Sequence, residues 1–88
     1  MLNPKPNSRF KRDLKRYLHK QEVIDELDKV IDMLRKGEEL PEKYRDHPLS
    51  GNYNGYRDCH IKPDVLLIYK TDEKRLYLAR IGSHSELF

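Results

Sequence analysis

Apolar residues recur along this chain in two rhythms, and the change from one to the other divides it. Phe10, Leu14, Tyr17 and Leu18 follow the i, i+4, i+7, i+8 spacing of one helical face. Ser8 stands ahead of them as an expected N-cap, and the spacing predicts a helix over 9–20. Val23, Ile24, Leu27, Val30, Ile31 and Leu34 form a second stripe. Asp25 with Lys29 and Asp32 with Lys36 are acid-before-base pairs one turn apart, each contributing about 0.2–0.5 kcal/mol. Lys36 suits the negative end of that helix and Gly37 a residue just past it. So little chain joins the two stripes that an antiparallel helical hairpin is expected.

From residue 56 the period falls to two. Tyr56, Asp58 and His60 alternate with Arg57, Cys59 and Ile61, as on a strand with two unlike faces. Lys62-Pro63-Asp64 is turn chemistry, because proline fixes φ and aspartate bonds its own backbone. Val65 to Tyr69 is a short apolar run of strand formers, and 75–81 reads as a further strand after the polar turn 71–74. Pro4 and Pro6 confine any strand at the start of the chain to a sheet edge. Residues 38–54 show no period and are expected to be a long ordered loop carrying Asp46-His47-Pro48-Leu49-Ser50-Gly51. Residues 82–88 would ordinarily fray. The order of elements predicts an α+β fold: a two-helix hairpin packed on one face of a small, mostly antiparallel, twisted sheet, as a single domain over 1–88.

Composition narrows the partners. A formal charge of +3 and a pI near 9.0 are compatible with a nucleic acid, and the distribution adds detail. Lys5, Arg9, Lys11, Arg12, Lys15, Arg16 and Lys20 make the first stretch basic, and Glu22, Asp25, Glu26, Asp28 and Asp32 make the next acidic. Either the two helices present solvated faces that attract each other, or the first is a binding stripe. Cys59 is the single cysteine, so no internal disulfide forms and no cysteine-based zinc site fits. A reducing cytoplasm is the expected location, since no apolar run suits secretion or membrane insertion.

The chemistry-bearing residues gather in the second half. His47, His60 and His84, Asp58 and Asp64, and Arg57 and Arg80 all fall on loops or strand ends. Cleaving RNA through its own 2′-hydroxyl needs a base, an acid and a cation for the crowded phosphate. Histidine and aspartate suit the first two, and the planar fork of arginine suits the third. Each of these residues also has a structural reading: a packed histidine, a turn aspartate, a surface ion pair. Zinc is a second reading of the histidines and carboxylates, but no His-x-x-x-His is present. Cys59 and His60 are adjacent on a strand and point to opposite faces, which disfavours a thiolate nucleophile.

Three blocks together carry a resemblance. They are Asp46-His47-Pro48-Leu49-x-Gly51, then Tyr56-Arg57-Asp58-x-His60-x-x-Pro63-Asp64, then Arg80-x-Gly82-Ser83-His84-Ser85-Glu86-Leu87-Phe88. In order and spacing they resemble the YafQ family, toxins of bacterial type II toxin–antitoxin modules within the RelE/ParE superfamily. The resemblance implies a microbial ribonuclease-like sheet. It implies a ribosome-dependent, metal-free mRNA endonuclease without cofactor, restrained by a cognate antitoxin. Carried over residue by residue, it implies an active site of His47, His60, Asp64, Arg80 and His84, with Phe88 stacking on a base. His84 is the expected acid and His60 or His47 the base. Asp64 orients a histidine or shares the base role, and Arg80 holds the scissile phosphate. Arg57 is a further expected RNA contact, and Lys11, Arg12 and Lys15 are expected to meet ribosomal RNA. Val65 stands where some members have tryptophan, which affects codon preference. A ParE-like toxin that inhibits DNA gyrase, or a non-catalytic binding module, would share the fold without needing the histidines.

Overall fold

Asn7, not Ser8, caps the first helix: its Oδ1 accepts a hydrogen bond from the Phe10 amide at 2.8 Å. In the computed structural model, which describes residues 1–88, helix α1 spans Ser8–Leu14 and tightens into a 3-10 turn at Lys15–Tyr17. The regular helix is therefore shorter than the apolar spacing predicts. The last member of that stripe, Leu18, finds no packing partner and stays 60% exposed. The chain turns there to bring α2 (Gln21–Arg35) back alongside. Helix α2 buries Val23, Leu27, Val30 and Leu34, each worth roughly 1.5–3 kcal/mol when fully taken out of water. Lys36 meets Asp32 at 2.9 Å as expected. Asp25 instead accepts a bond from the Gln21 side chain at 2.7 Å, so the Asp25–Lys29 pair does not form.

Five strands follow the order β1-β5-β4-β3-β2. They are β1 (Asn3–Pro6), β2 (His47–Pro48), β3 (Arg57–Lys62), β4 (Val65–Thr71) and β5 (Arg75–Gly82). Strand β1 is an edge strand and runs parallel to β5, while every other pairing is antiparallel. The Asn3 and Asn7 amides donate to the Lys74 and Leu78 carbonyls. Pro4 and Pro6 alternate with those positions, so their missing donors face away from the ladder. Residues 38–54, expected as a loop without regular structure, contain β2 and two 3-10 turns, Glu42–Tyr44 and Gly51–Tyr53. Two-residue strands leave no periodic trace in a sequence.

The sheet has two unlike faces. Cys59, Ile61, Leu67, Tyr69, Leu76, Leu78 and Ile81 pack with both helices in the main core. On the opposite face Leu66, Ile68, Ala79 and Leu87 form a smaller cluster under Leu49, Tyr53 and Tyr56. Strand β4 is thus buried on both sides, which is why it reads as an unbroken apolar run. Residues 82–88 do not fray. Ser83 and Glu86 form a reciprocal capping box that starts helix α3 (His84–Leu87), and Leu87 is buried beneath it.

Candidate active site

Strand register brings the separated residues together. His47 lies opposite Asp58, Asp58 opposite Ile68, and Ile68 opposite Arg80, one row across four strands. The neighbouring row runs His60, Leu66, Gly82, and two residues past Gly82 the chain reaches His84. Cys59 points into the helix-side core, so Asp58 and His60 on either side of it face the opposite way. A register shift after Ile68 makes Ala79 an extra residue on β5 and keeps Arg80 level with Asp58.

Asp58 is the hub. It is 3% exposed, and burial raises its carboxyl above the usual range. The positive fields of His47, His60 and His84 pull the other way, which puts all three imidazoles within electrostatic reach of one carboxylate. His47 Nδ1 is 3.1 Å from Asp58 Oδ1 and 2.8 Å from the Arg45 carbonyl. A carbonyl only accepts, so Nδ1 carries a hydrogen, and in the neutral ring Nε2 keeps the lone pair. The Nδ1–H is aimed at Arg45, and the buried Asp58 Oδ1 has no aligned donor of its own. Arg45 adopts φ 50°, the one left-handed conformation outside glycine, and that turn sets its carbonyl under the imidazole.

Arg80 is held from the far edge of the sheet. Strand β1 covers β5 only from Arg75 to Leu78, leaving the edge open beyond. Asp13 of α1, itself 3% exposed, closes that gap. Its carboxylate accepts from Arg80 Nε at 2.7 Å, from Arg80 Nη2 at 3.2 Å and from the Ile81 amide at 3.1 Å. The pairing holds Arg80 firmly charged, above even its usual range.

The tail is fixed just as specifically. Glu86 accepts from the Ser83 amide at 2.8 Å, from Arg16 at 2.9 Å and from the Tyr17 hydroxyl at 3.4 Å. The Ser83 amide, first among these, lowers its carboxyl below the usual range. This sets the His84 and Phe88 rings 5.2 Å apart, with Phe88 edge-on to Tyr53 at 5.8 Å. Phe88 remains 53% exposed and open to a further ring.

Other expected residues stand apart. Asp64 is exposed in the β3–β4 turn and accepts no hydrogen bond from a histidine, and the carboxylate in contact with one is Asp58. Arg57 is tied to Asp46 at 3.2 Å, and the buried Tyr69 hydroxyl donates to the same Asp46 oxygen at 2.6 Å. Asp46 is thereby pinned, and with it the start of β2. Lys11, Arg12 and Lys15 are exposed on α1 and the turn after it, and none forms an ion pair. Val65 is buried in the helix-side core, so its position does not face the histidines. Sequence reasoning gave no role to Asp13 or Glu86. Asp13 alone left a signal: it is the one acidic residue among the first twenty-one. No three histidine, cysteine, aspartate or glutamate side chains converge in an arrangement that could hold a metal ion.

A family model described as "Bacterial toxin of type II toxin-antitoxin system, YafQ" matches residues 2–88. The "mRNA interferase toxin YafQ" of Escherichia coli strain B / BL21-DE3 is 36% identical over 83 residues, 93% of this chain and 90% of that protein. The protein of the same name in E. coli strain K12 is 53% identical over 49 residues, a match spanning about half of each: 56% of this chain and 53% of that one. Among solved structures, a Helicobacter pylori toxin described as a copper-bound L66S mutant superposes with a TM-score of 0.93. It is 42% identical, with the whole of both chains covered.

Proposed function

The chain belongs to the YafQ family of bacterial type II toxins, and from that premise we propose that it is an mRNA endoribonuclease that cuts through the RNA 2′-hydroxyl on the ribosome. One observation carries the reading. One imidazole, His47, touches a buried carboxylate, two more from separate segments, His60 and His84, lie within its electrostatic reach, and an arginine is fixed on the same row of the sheet. A protein that only binds gains nothing from burying Asp58 without an aligned donor, whereas proton transfer gains a polarised set of bases and acids.

The roles follow from what each atom can do. His47, with its proton held on Nδ1 by Arg45, offers Nε2 as a base toward the 2′-hydroxyl. Asp58 stabilises the imidazolium that forms. His84, on the exposed tail, is the acid that protonates the leaving 5′-oxygen, and His60 in the adjacent row supports either charge state or serves as the base itself. Arg80, oriented by Asp13, steadies the phosphate as negative charge builds on it. Phe88 stacks on a neighbouring base. Asp64 and Arg57 are peripheral contacts in this scheme. The ribosome supplies in-line geometry by holding the codon, so free RNA is cut poorly. The chemistry needs no metal ion. The cognate antitoxin restrains the chain in the cytoplasm.

The test is a pH–rate profile for cleavage on programmed ribosomes, with and without chelator, for wild type, His84→Ala and His47→Ala. Each variant should lose about 10²–10⁴ in rate and a different limb of the profile, with chelator changing nothing. Loss of the same limb in both would show that the roles are wrongly divided, and abolition by chelator would overturn the metal-free mechanism.

A further inference from the structure

A second feature lies beside this site and takes no part in the proton transfers. Asn7, Arg9, Asn52, Tyr53, Tyr56 and Arg80 line a cavity of about 170 Å³ over Ala79. We propose that this cavity is a subsite for one nucleobase flanking the scissile phosphate, an inference that rests on the RNA-cleaving function above and adds to it a means of reading sequence.

Size comes first. The cavity is about half the roughly 300 Å³ at which sites for drug-sized ligands begin, room for one flat heterocycle and not for two. Its walls offer the flat faces such a ring needs. Tyr53 and Tyr56 stand nearly perpendicular, with centroids 6.2 Å apart. Lys70 sits 4.9 Å from the Tyr56 centroid, in a neighbouring cavity that Tyr56 also lines.

Polar groups on the rim can read an edge. The Asn52 side chain makes no hydrogen bond within the protein and is exposed, so its carbonyl and its amide are both available. Asn7 has one lone pair of its Oδ1 engaged by the Phe10 amide, and its side-chain amide donors are unengaged. A side-chain amide beside an aromatic face is the pairing that recognises a base presenting an adjacent donor and acceptor. Two arginines bound the cavity, and Arg9 has no ion-pair partner. Positive charge on both sides selects a nucleotide over an uncharged ring.

Position ties the cavity to the chemistry. Tyr53 is the shared wall: it meets Phe88 on the side of His84, and it lines the same cavity as Arg80. A base seated against Tyr53 and Asn52 is therefore next along the strand from a phosphate held by Arg80.

The experiment uses ribosomes programmed with an mRNA pool randomised around the cut, with all cleavage ends sequenced. Wild type, Asn52→Ala and Asn52→Asp are compared, with His84→Ala as the inactive control and thermal melting to confirm folding. Asn52→Ala should flatten base preference at one position beside the cut and lower cleavage of favoured sequences about tenfold to a hundredfold. It should leave the poorest sequences unchanged. Asn52→Asp, which keeps the acceptor and loses the donor, should change which base is favoured at that same position. A profile unchanged in both variants, or a loss uniform over all sequences, would overturn the subsite while leaving RNA cleavage intact. A wild-type chain that cuts no RNA would overturn the proposed function and this inference together.

Discussion

Asp58 is a carboxylate buried at a cost to stability. Its oxygen is buried without an aligned donor, and burial raises its carboxyl above the unfolded value. A raised carboxyl means the charged form is the disfavoured one in the fold. Stability is then greatest below the unfolded pKa and declines as pH rises through the folded one. Asp58→Asn removes that cost. It should raise the urea midpoint at pH 7, equivalent to about 1 kcal/mol or more, with the advantage over wild type shrinking toward pH 4. Cleavage should fall at least about tenfold in the same variant, because His47 loses the charge that supports its imidazolium. If Asp58→Asn is no more stable than wild type at pH 7, the strain argument fails. The same scale explains why Asp13 was hidden. A lone acid in a basic run reads as a solvated helix residue until the open edge of β5 shows what it closes.

At the level of elements, the decisive piece is α3, four residues held by its cap and its contacts instead of by length. Gly82 is what lets it approach. A Cβ there would stand 3.1 Å from Glu86 Oε1 and 3.2 Å from Leu87 Cδ2, inside ordinary contact distance. Leu87 is buried and Glu86 is held in the capping box, so these neighbours must give by a few tenths of an ångström against their own contacts. Gly82→Ala should therefore cost only about 1–3 kcal/mol of stability while lowering cleavage by about a hundredfold, through displaced His84 and Phe88. Equal stability and equal cleavage would mean that α3 tolerates the shift and does not set the catalytic geometry.

Over the whole molecule, charge is sorted by surface. Both helices cover one face of the sheet and the histidines lie on the other. The exposed cations of α1 and the turn after it border the site through the Arg16–Glu86 contact at 2.9 Å. Lys11, Arg12 and Lys15 have no acidic partner to neutralise them, which favours an electrostatic footprint for RNA. Reversing all three to glutamate should weaken ribosome binding and reduce its logarithmic salt slope by about 0.7–0.9 for every phosphate no longer neutralised, with melting almost unchanged. A binding curve with the wild-type salt slope would take this surface out of the interface.

The sequence by itself determined the α+β class, the helical hairpin, the strands β3 to β5, and the three blocks that mark the family. Those features repeat in period or hold a fixed spacing, and local chemistry is enough to read them. Only the tertiary structure decided that Asp58 and not Asp64 meets a histidine, that Asp13 orients Arg80, and that Glu86 fastens the tail. It also decided that His47 lies on a strand and that residues 84–87 are a helix. Each of these depends on partners far apart in the chain: Asp13 and Arg80 are 67 residues apart, Arg16 and Glu86 are 70. Periodicity along a chain reports which face a residue takes, and strand order in the sheet determines what it meets there.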